Sequence, residues 1–323
     1  MMRRLVTVLA AAMLLLSACT PGGGDASSTS SAGAEQSAQG TCTFTDSLGN
    51  TVELEQPPQR VAALLGSYAE TWLLAGGEVV AVTQDAYDER GLELPEDTVN
   101  LGANQQPDLE ALFAAEPDLV LLTPDLDGQM GLRDSLAAAG IPAAWFKVEI
   151  FDDYLNMLKI CTDLTGRSDL YQKNGLDIQS EIDAAIASVP EGEGPTVLLL
   201  RAYSSGVRAK NSDNIAGAML KDLGAVNIAD SNSGLLEDLQ MESILAADPE
   251  FIFVTTMGAS QEAALKSLDE LLHSDPAWQT LTAVKEGRVE VLPKDLFHYK
   301  PNARWGESYQ MLAELMYGSG ETA

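Results

Sequence analysis

Between Phe297 and Trp305 the chain packs two aromatic rings, a histidine, two cations and a further tryptophan into nine residues, Phe297-His298-Tyr299-Lys300-Pro301-Asn302-Ala303-Arg304-Trp305. Arginine presents a rigid fork to carboxylate or catecholate oxygens, and aromatic faces pack against flat or macrocyclic groups. Such a loop suits capture of an anionic, partly apolar small molecule. A second cationic run, Arg201-Ala202-Tyr203-Ser204-Ser205-Gly206-Val207-Arg208-Ala209-Lys210, offers the same chemistry. The chain carries 48 acidic and 19 basic residues and a net charge of −29, so the grouping of Arg201, Arg208, Lys210, Lys300 and Arg304 stands out.

Bond-making chemistry finds no support. There is no His-Glu-x-x-His, no nucleophile elbow around Ser67 and no P-loop, and the chain has two histidines in all. A receptor for a bare metal ion would need three or four converging His and carboxylate ligands. The acidic balance also excludes nucleic acid, whose phosphates such a surface repels. The expectation is a binding protein with no permanent cofactor, and not an enzyme.

The elements that must position these loops come in two similar sets. Residues 109–122, LEALFAAEPDLVLL, recur at 241–254 as MESILAADPEFIFV, with Glu, Ala and Pro in register. Each copy reads as a short helix stopped before proline and followed by a buried strand. Upstream, 60–65 reads as a strand, Gly66-Ser67 as a turn, and 68–75 as a helix closed by Gly76-Gly77. In the second half, 196–200 is a strand, 201–214 a polar loop, and 215–223 a helix closed by Gly224. Continuous apolar strands separated by helices imply parallel sheets covered on both faces. The fold class is therefore α/β, two Rossmann-like lobes with mainly parallel sheets. Two helical segments, 151–164 and 169–189, join them; the second, about 30 Å long, forms a rigid brace.

The N-terminus sets the compartment. Arg3 and Arg4 precede an apolar run over 5–16, too short for a bilayer span, which ends in Leu16-Ser17-Ala18-Cys19. Small residues before a cysteine resemble a lipobox, in which Cys19 takes a diacylglycerol. The Gly/Ser/Ala/Thr stretch that follows cannot bury enough surface to order itself. The expected organisation is a lipoprotein signal peptide at 1–18, a flexible tether at 19–41, an N-terminal lobe at 42–150, linking helices at 151–190 and a C-terminal lobe at 191–323. Cys42 and Cys161 are a candidate disulfide in an exported chain, although spacing alone leaves the pairing open.

Four segments together resemble the helical-backbone class of ABC-transporter solute-binding lipoproteins, which serve iron-siderophores, haem and cobalamin. They are Phe44-Thr45-Asp46-Ser47-Leu48-Gly49-Asn50-Thr51-Val52 with Pro57-Pro58-Gln59-Arg60-Val61-Ala62, the block 108–122, its repeat at 242–254, and the terminal stretch 281–289. The resemblance implies a monomer, lipid-anchored outside the cytoplasm, that delivers a ferric siderophore or haem, alternatively cobalamin, to an ABC permease dimer with its ATPase. It also implies that Glu110 and Glu242, one per lobe, dock on permease arginines. An exported sensor or adhesion module on the same fold is the alternative of another class.

In open α/β sheets ligands bind beyond the carboxyl ends of the strands, so the site should lie between the lobes. That selects the segments 66–68, 123–126, 201–210 and 294–305, and in them Ser67, Tyr68, Arg201, Tyr203, Arg208, Lys210, His298, Tyr299, Lys300, Arg304 and Trp305. Tyr68 and Arg304 in particular are expected to line one pocket. Were the ligand haem, His298 or Tyr299 would be the axial ligand from one lobe and Tyr68 from the other. His273 reads as a surface residue, and Met130, Met241 and Met257 as packing residues.

Overall fold

The computed structural model describes residues 40–258 and 260–318. The expected signal peptide at 1–18, Cys19 and all of the expected tether but its last two residues lie outside the described residues.

The chain opens with an antiparallel hairpin, β1 (Cys42–Thr45) and β2 (Thr51–Leu54). Asp46 forms its turn by accepting from the backbone N–H of Leu48 and Asn50. Five parallel strands follow: β3 (Val61–Ala63), β4 (Val79–Val82), β5 (Val99–Asn100), β6 (Leu119–Leu122) and β7 (Ala143–Trp145), in the spatial order β5-β4-β3-β6-β7. In the second lobe β8 (Thr196–Tyr203), β10 (Val226–Asn227), β11 (Phe251–Thr256) and β12 (Val289–Val291) are parallel in the order β10-β8-β11-β12. There β9 (Gly206–Lys210) folds back antiparallel on β8. The expected α/β class and two mainly parallel sheets are both present.

Side-chain alternation explains how each sheet is covered. Ala62, Leu64, Val120 and Leu122 enter one core on the outer face of the first sheet. Leu198, Leu200, Ile252 and Val254 enter another on the outer face of the second. The intervening residues, Val61, Ala63, Leu119 and Leu121 in one lobe and Val197, Leu199, Phe251 and Phe253 in the other, belong to a single central core. That core also takes the buried faces of the linking helices and of the C-terminal helix, so the lobes share one apolar interior.

The internal repeat is structural in detail. Helices Leu109–Ala114 and Met241–Ala247 each run into a left-handed non-glycine residue before proline, Glu116 (φ 47°) and Asp248 (φ 38°). The next acidic residue caps the neighbouring strand in both lobes. Asp118 accepts from the N–H of Gln59 and Arg60, and Glu250 accepts from that of Thr196.

The first linking helix, Phe151–Thr165, begins where Asp153 accepts from the N–H of Ile150 and ends at left-handed Gly166 (φ 72°). The second runs from Ser168 to Ala187 as one rod, with a π-helical segment at Gln172–Leu176. Within that segment Asn174 donates its side-chain amide to the Leu74 carbonyl and accepts the Tyr154 hydroxyl on its own carbonyl. The C-terminal helix Trp305–Tyr317 lies along this rod. It packs so closely that a Cβ at Gly306 would fall 2.8 Å from that of Glu181.

Cys42 and Cys161, the candidate disulfide pair, are not bonded to each other in this structure. Cys161 is fixed in the central core on the first linking helix, where burial pushes its thiol up to about 12. Cys42 sits half-buried at the start of β1, with its Sγ directed at the Gly40 carbonyl.

Candidate functional site

The carboxyl ends of β3, β4 and β6 face the segments after β11 and β12 across a cavity of about 650 Å³. Ser67, Asp85, Glu89, Arg90, Gln105 and Asp125 line it from the first lobe, and Met257, Lys294, His298, Tyr299 and Lys300 from the second. A second cavity of about 340 Å³ shares Asp125, His298 and Lys300 with the first and adds Glu149, Arg201, Lys210 and Asn214. His298 and Lys300 therefore stand where the two spaces meet.

The local sequence dictates this assembly. Helix Gly66–Leu74 starts directly after β3, and the Asp85 carboxylate accepts from the Gly66 N–H at 2.7 Å and from the Thr83 hydroxyl. A Cβ at position 66 would lie 2.7 Å from the Ala86 nitrogen, so glycine is required for this approach. Across the cleft, buried Asn302 (φ 54°) donates its amide to the Ser67 carbonyl at 2.9 Å and to Glu70 at 2.7 Å. Glu70 in turn pairs with Arg90. The strap 299–302 is thus tied to the first lobe beside the cavity it lines. It provides a connection between the lobes in addition to the linking helices expected from the sequence.

The joined cavities carry both signs: Asp85, Asp88, Glu89, Asp125, Glu149 and Asp213 line them together with Arg90, Arg201, Lys210, Lys294 and Lys300. Arg201, Lys210, Lys294 and Lys300 all face the joined cavities, and none has a carboxylate within ion-pair distance among the described residues. Arg201 donates to the Thr255 hydroxyl at 3.3 Å and Lys294 to the Gly258 carbonyl at 2.9 Å. The Lys294 ammonium lies 4.7 Å from the Tyr299 ring centre and that of Lys300 lies 5.7 Å from the Tyr68 ring centre. Burial pushes the Lys300 ammonium below the usual lysine range. His298 is pushed down to about 3, first by burial and then by Arg201, Lys294 and Lys300, so at neutral pH it is an uncharged imidazole. Its Nδ1 is buried without a partner among the described residues, as is Nε of Arg90. Burial and the neighbouring Glu89 carboxylate raise the Tyr299 hydroxyl.

Of the residues expected here, Ser67, His298, Tyr299 and Lys300 line the larger cavity, and Arg201 and Lys210 the smaller. Others do not. Tyr203 and Arg208 lie along a separate groove of about 350 Å³ with Leu235 and Leu239, because the expected polar loop is the β8–β9 hairpin, whose turn carries them away. Trp305 is fully buried, edge-on to Phe151 at 6.0 Å between ring centres. Tyr68 is fully buried too, its hydroxyl donated to the Phe146 carbonyl, and burial raises its pKa. Arg304 is exposed and held by Asp295 and by Glu307, the latter at 2.7 Å. The pocket expected between Tyr68 and Arg304 does not form, since one belongs to the core and the other to the outer surface.

Met257, expected to pack, is 39% exposed at the cavity, whereas Met130 and Met241 pack as expected and His273 is on the surface. Asp85, Glu89, Arg90 and Gln105 were missed. The strand-tip rule points to them once it is applied to β4 and β5 as well as to β3 and β6. Glu110 and Glu242 are both exposed and without an ion-pair partner among the described residues.

The profile described as periplasmic binding protein matches residues 61–296, spanning both sheets and the cleft between them. The chain belongs to the periplasmic binding protein family. Among its relatives, the Fe(3+) dicitrate-binding periplasmic protein FecB of Escherichia coli (strain K12) is 27% identical over 257 residues, covering 76% of this chain and 80% of FecB. Two solved structures show the same two-lobe fold. The catecholate-siderophore binding protein VctP of Vibrio cholerae has a TM-score of 0.67 at 17% identity, covering 85% of this chain and 99% of VctP. The haem-binding protein HutB of Vibrio cholerae has a TM-score of 0.66 at 21% identity, covering 80% of this chain and 99% of HutB. The relatives are binding proteins, in keeping with the expected helical-backbone group, and the family places the chain outside the cytoplasm. No helix among the described residues is long and apolar enough to cross a membrane.

Proposed function

We propose that this chain captures an anionic ferric chelate, a siderophore complex, in the cleft between its lobes and hands it to an ABC permease dimer with its ATPase, while Cys19 anchors it to the outer face of the cell membrane. One observation carries the reading. In a chain of net charge −29, four cations face the joined cavities with no ion-pair partner among the described residues. Unpaired cations in a partly desolvated cleft favour a ligand that brings its own negative oxygens. The larger cavity takes apolar side chains mainly from Leu65, Leu126 and Met257, which suits an oxygen-rich chelate better than a broad macrocycle.

Haem is the second reading, favoured by His298, an uncharged imidazole with an unpartnered ring nitrogen at the junction of the two cavities. Tyr68 takes no part in it, since its hydroxyl is committed to Phe146.

Glu110 and Glu242, one on each lobe in the same repeat position, are the proposed permease contacts. Two matched carboxylates suit a two-fold partner. Replacing both, Glu110→Ala with Glu242→Ala, should abolish uptake of the chelate by whole cells while leaving its affinity for the purified protein within a few-fold. Loss of affinity alongside uptake would make the two residues structural.

A further inference from the structure

Eight large apolar side chains are markedly exposed among the described residues, and two of them occupy the same position of the internal repeat. Phe113 (36% exposed) and Leu245 (39% exposed) each lie three residues after Glu110 and Glu242, on helices Leu109–Ala114 and Met241–Ala247. Residues three apart share a helix face, so each lobe presents a carboxylate with no ion-pair partner among the described residues next to an apolar side chain. The opposite face of each helix is anchored by fully buried Leu112 or Ile244. Both helices stop at the same point, in the left-handed residues Glu116 and Asp248 before proline, so the two faces leave their lobes in the same way.

We infer that Phe113 and Leu245 are paired apolar anchors of the permease-docking surface. The occupant is a two-fold membrane permease that offers, twice, a cationic group bordering an apolar pocket. A face turned only toward water gains nothing from an exposed Phe or Leu, and a lone one is unremarkable. Duplication at one register position beside two unpaired carboxylates is the argument for a partner with matching symmetry. In such a contact the charges set approach and register, and the apolar side chains resist dissociation once water is excluded. The inference rests on the docking role proposed for Glu110 and Glu242, and adds to it.

The test uses the full lipoprotein in its own cells, with the photo-crosslinking residue benzoylphenylalanine in place of Phe113, Leu245, Glu110, Glu242 or, as an exposed apolar control, Val226. Mass spectrometry identifies what is captured. The expected result is one ABC permease polypeptide captured from positions 113 and 245 and from 110 and 242, with capture at 226 at least tenfold lower. Phe113→Ser combined with Leu245→Ser should lower permease capture from position 110 about tenfold, and Phe113→Leu should leave it within twofold. Unchanged melting temperatures of the purified variants establish that folding is intact. Capture of the permease from 110 and 242 alone, or equally from 226, would overturn the apolar anchors and leave the glutamates standing. Capture from none of these positions would overturn the docking surface as a whole.

Discussion

Lys300 and Arg304 are four residues apart, yet the fold gives them opposite fates. Lys300 turns into the junction of the cavities and stacks over buried Tyr68, while Arg304 is taken up by Asp295 and Glu307 on the outside. Lys300→Ala or Arg201→Ala should therefore weaken binding of an anionic ferric chelate ten- to hundredfold, the usual range for losing one charge-assisted hydrogen bond. Arg304→Ala should leave affinity within twofold, read by titrating tryptophan fluorescence. The Arg304 partner was visible in the sequence as an acidic residue three positions on, a spacing that also fits a helical ion pair. Tyr68 and Trp305 were harder to read, because an aromatic residue beside a cleft looks the same whether it faces the cleft or the core behind it.

His298 yields a pH prediction at the same scale. Its folded value of about 3 lies below the ordinary 6.5, so between those values the unfolded chain binds a proton that the folded one refuses. Its contribution to stability is present above about pH 6.5 and is lost as the pH falls toward 3. With His273→Gln removing the other histidine of the chain, the remaining imidazole should show neutral-form NMR shifts from pH 8 down to pH 5. A midpoint near 6.5 would mean that His298 is solvated and not held in the cleft as described.

At the scale of elements, the repeat and the strand tips were legible because they follow from periodicity and proline stops alone. The 299–302 strap was not, since its docking depends on Asn302 reaching the Ser67 carbonyl and Glu70, 235 and 232 residues away in sequence. Asn302 also sits at positive φ, which asparagine tolerates better than most residues. Asn302→Ala should cost roughly 1–3 kcal/mol through the orphaned buried partners. Asn302→Gly should cost less, since it keeps the backbone conformation. Equal melting temperatures for Asn302→Ala and the unchanged protein would show that the strap is not fastened there.

For the whole molecule, the central core runs from one sheet through the linking and C-terminal helices to the other. Lobes that share an interior should unfold together, so calorimetry of residues 40–318 should show one transition with equal calorimetric and van't Hoff enthalpies. Two separated transitions would mean that the lobes are independent. The same continuity argues for small closure around the ligand, because wide hinge opening would tear a packed core. The sequence suggested a rigid brace from helix length alone. It could not reveal that the inner sheet faces join the same core, since alternation along a strand marks its two faces without saying what covers each.

The central claim is that the cleft between the lobes holds an anionic ferric chelate, and the most direct measurement is the iron content and absorption spectrum of protein purified natively from iron-limited cells. The account predicts close to one iron per chain, with a ligand-to-iron charge-transfer band and no corrin features. Both signals should disappear when Arg201→Glu and Lys300→Glu are combined. A Soret band, a corrin spectrum, or a colourless iron-free protein that no ferric chelate saturates would contradict it.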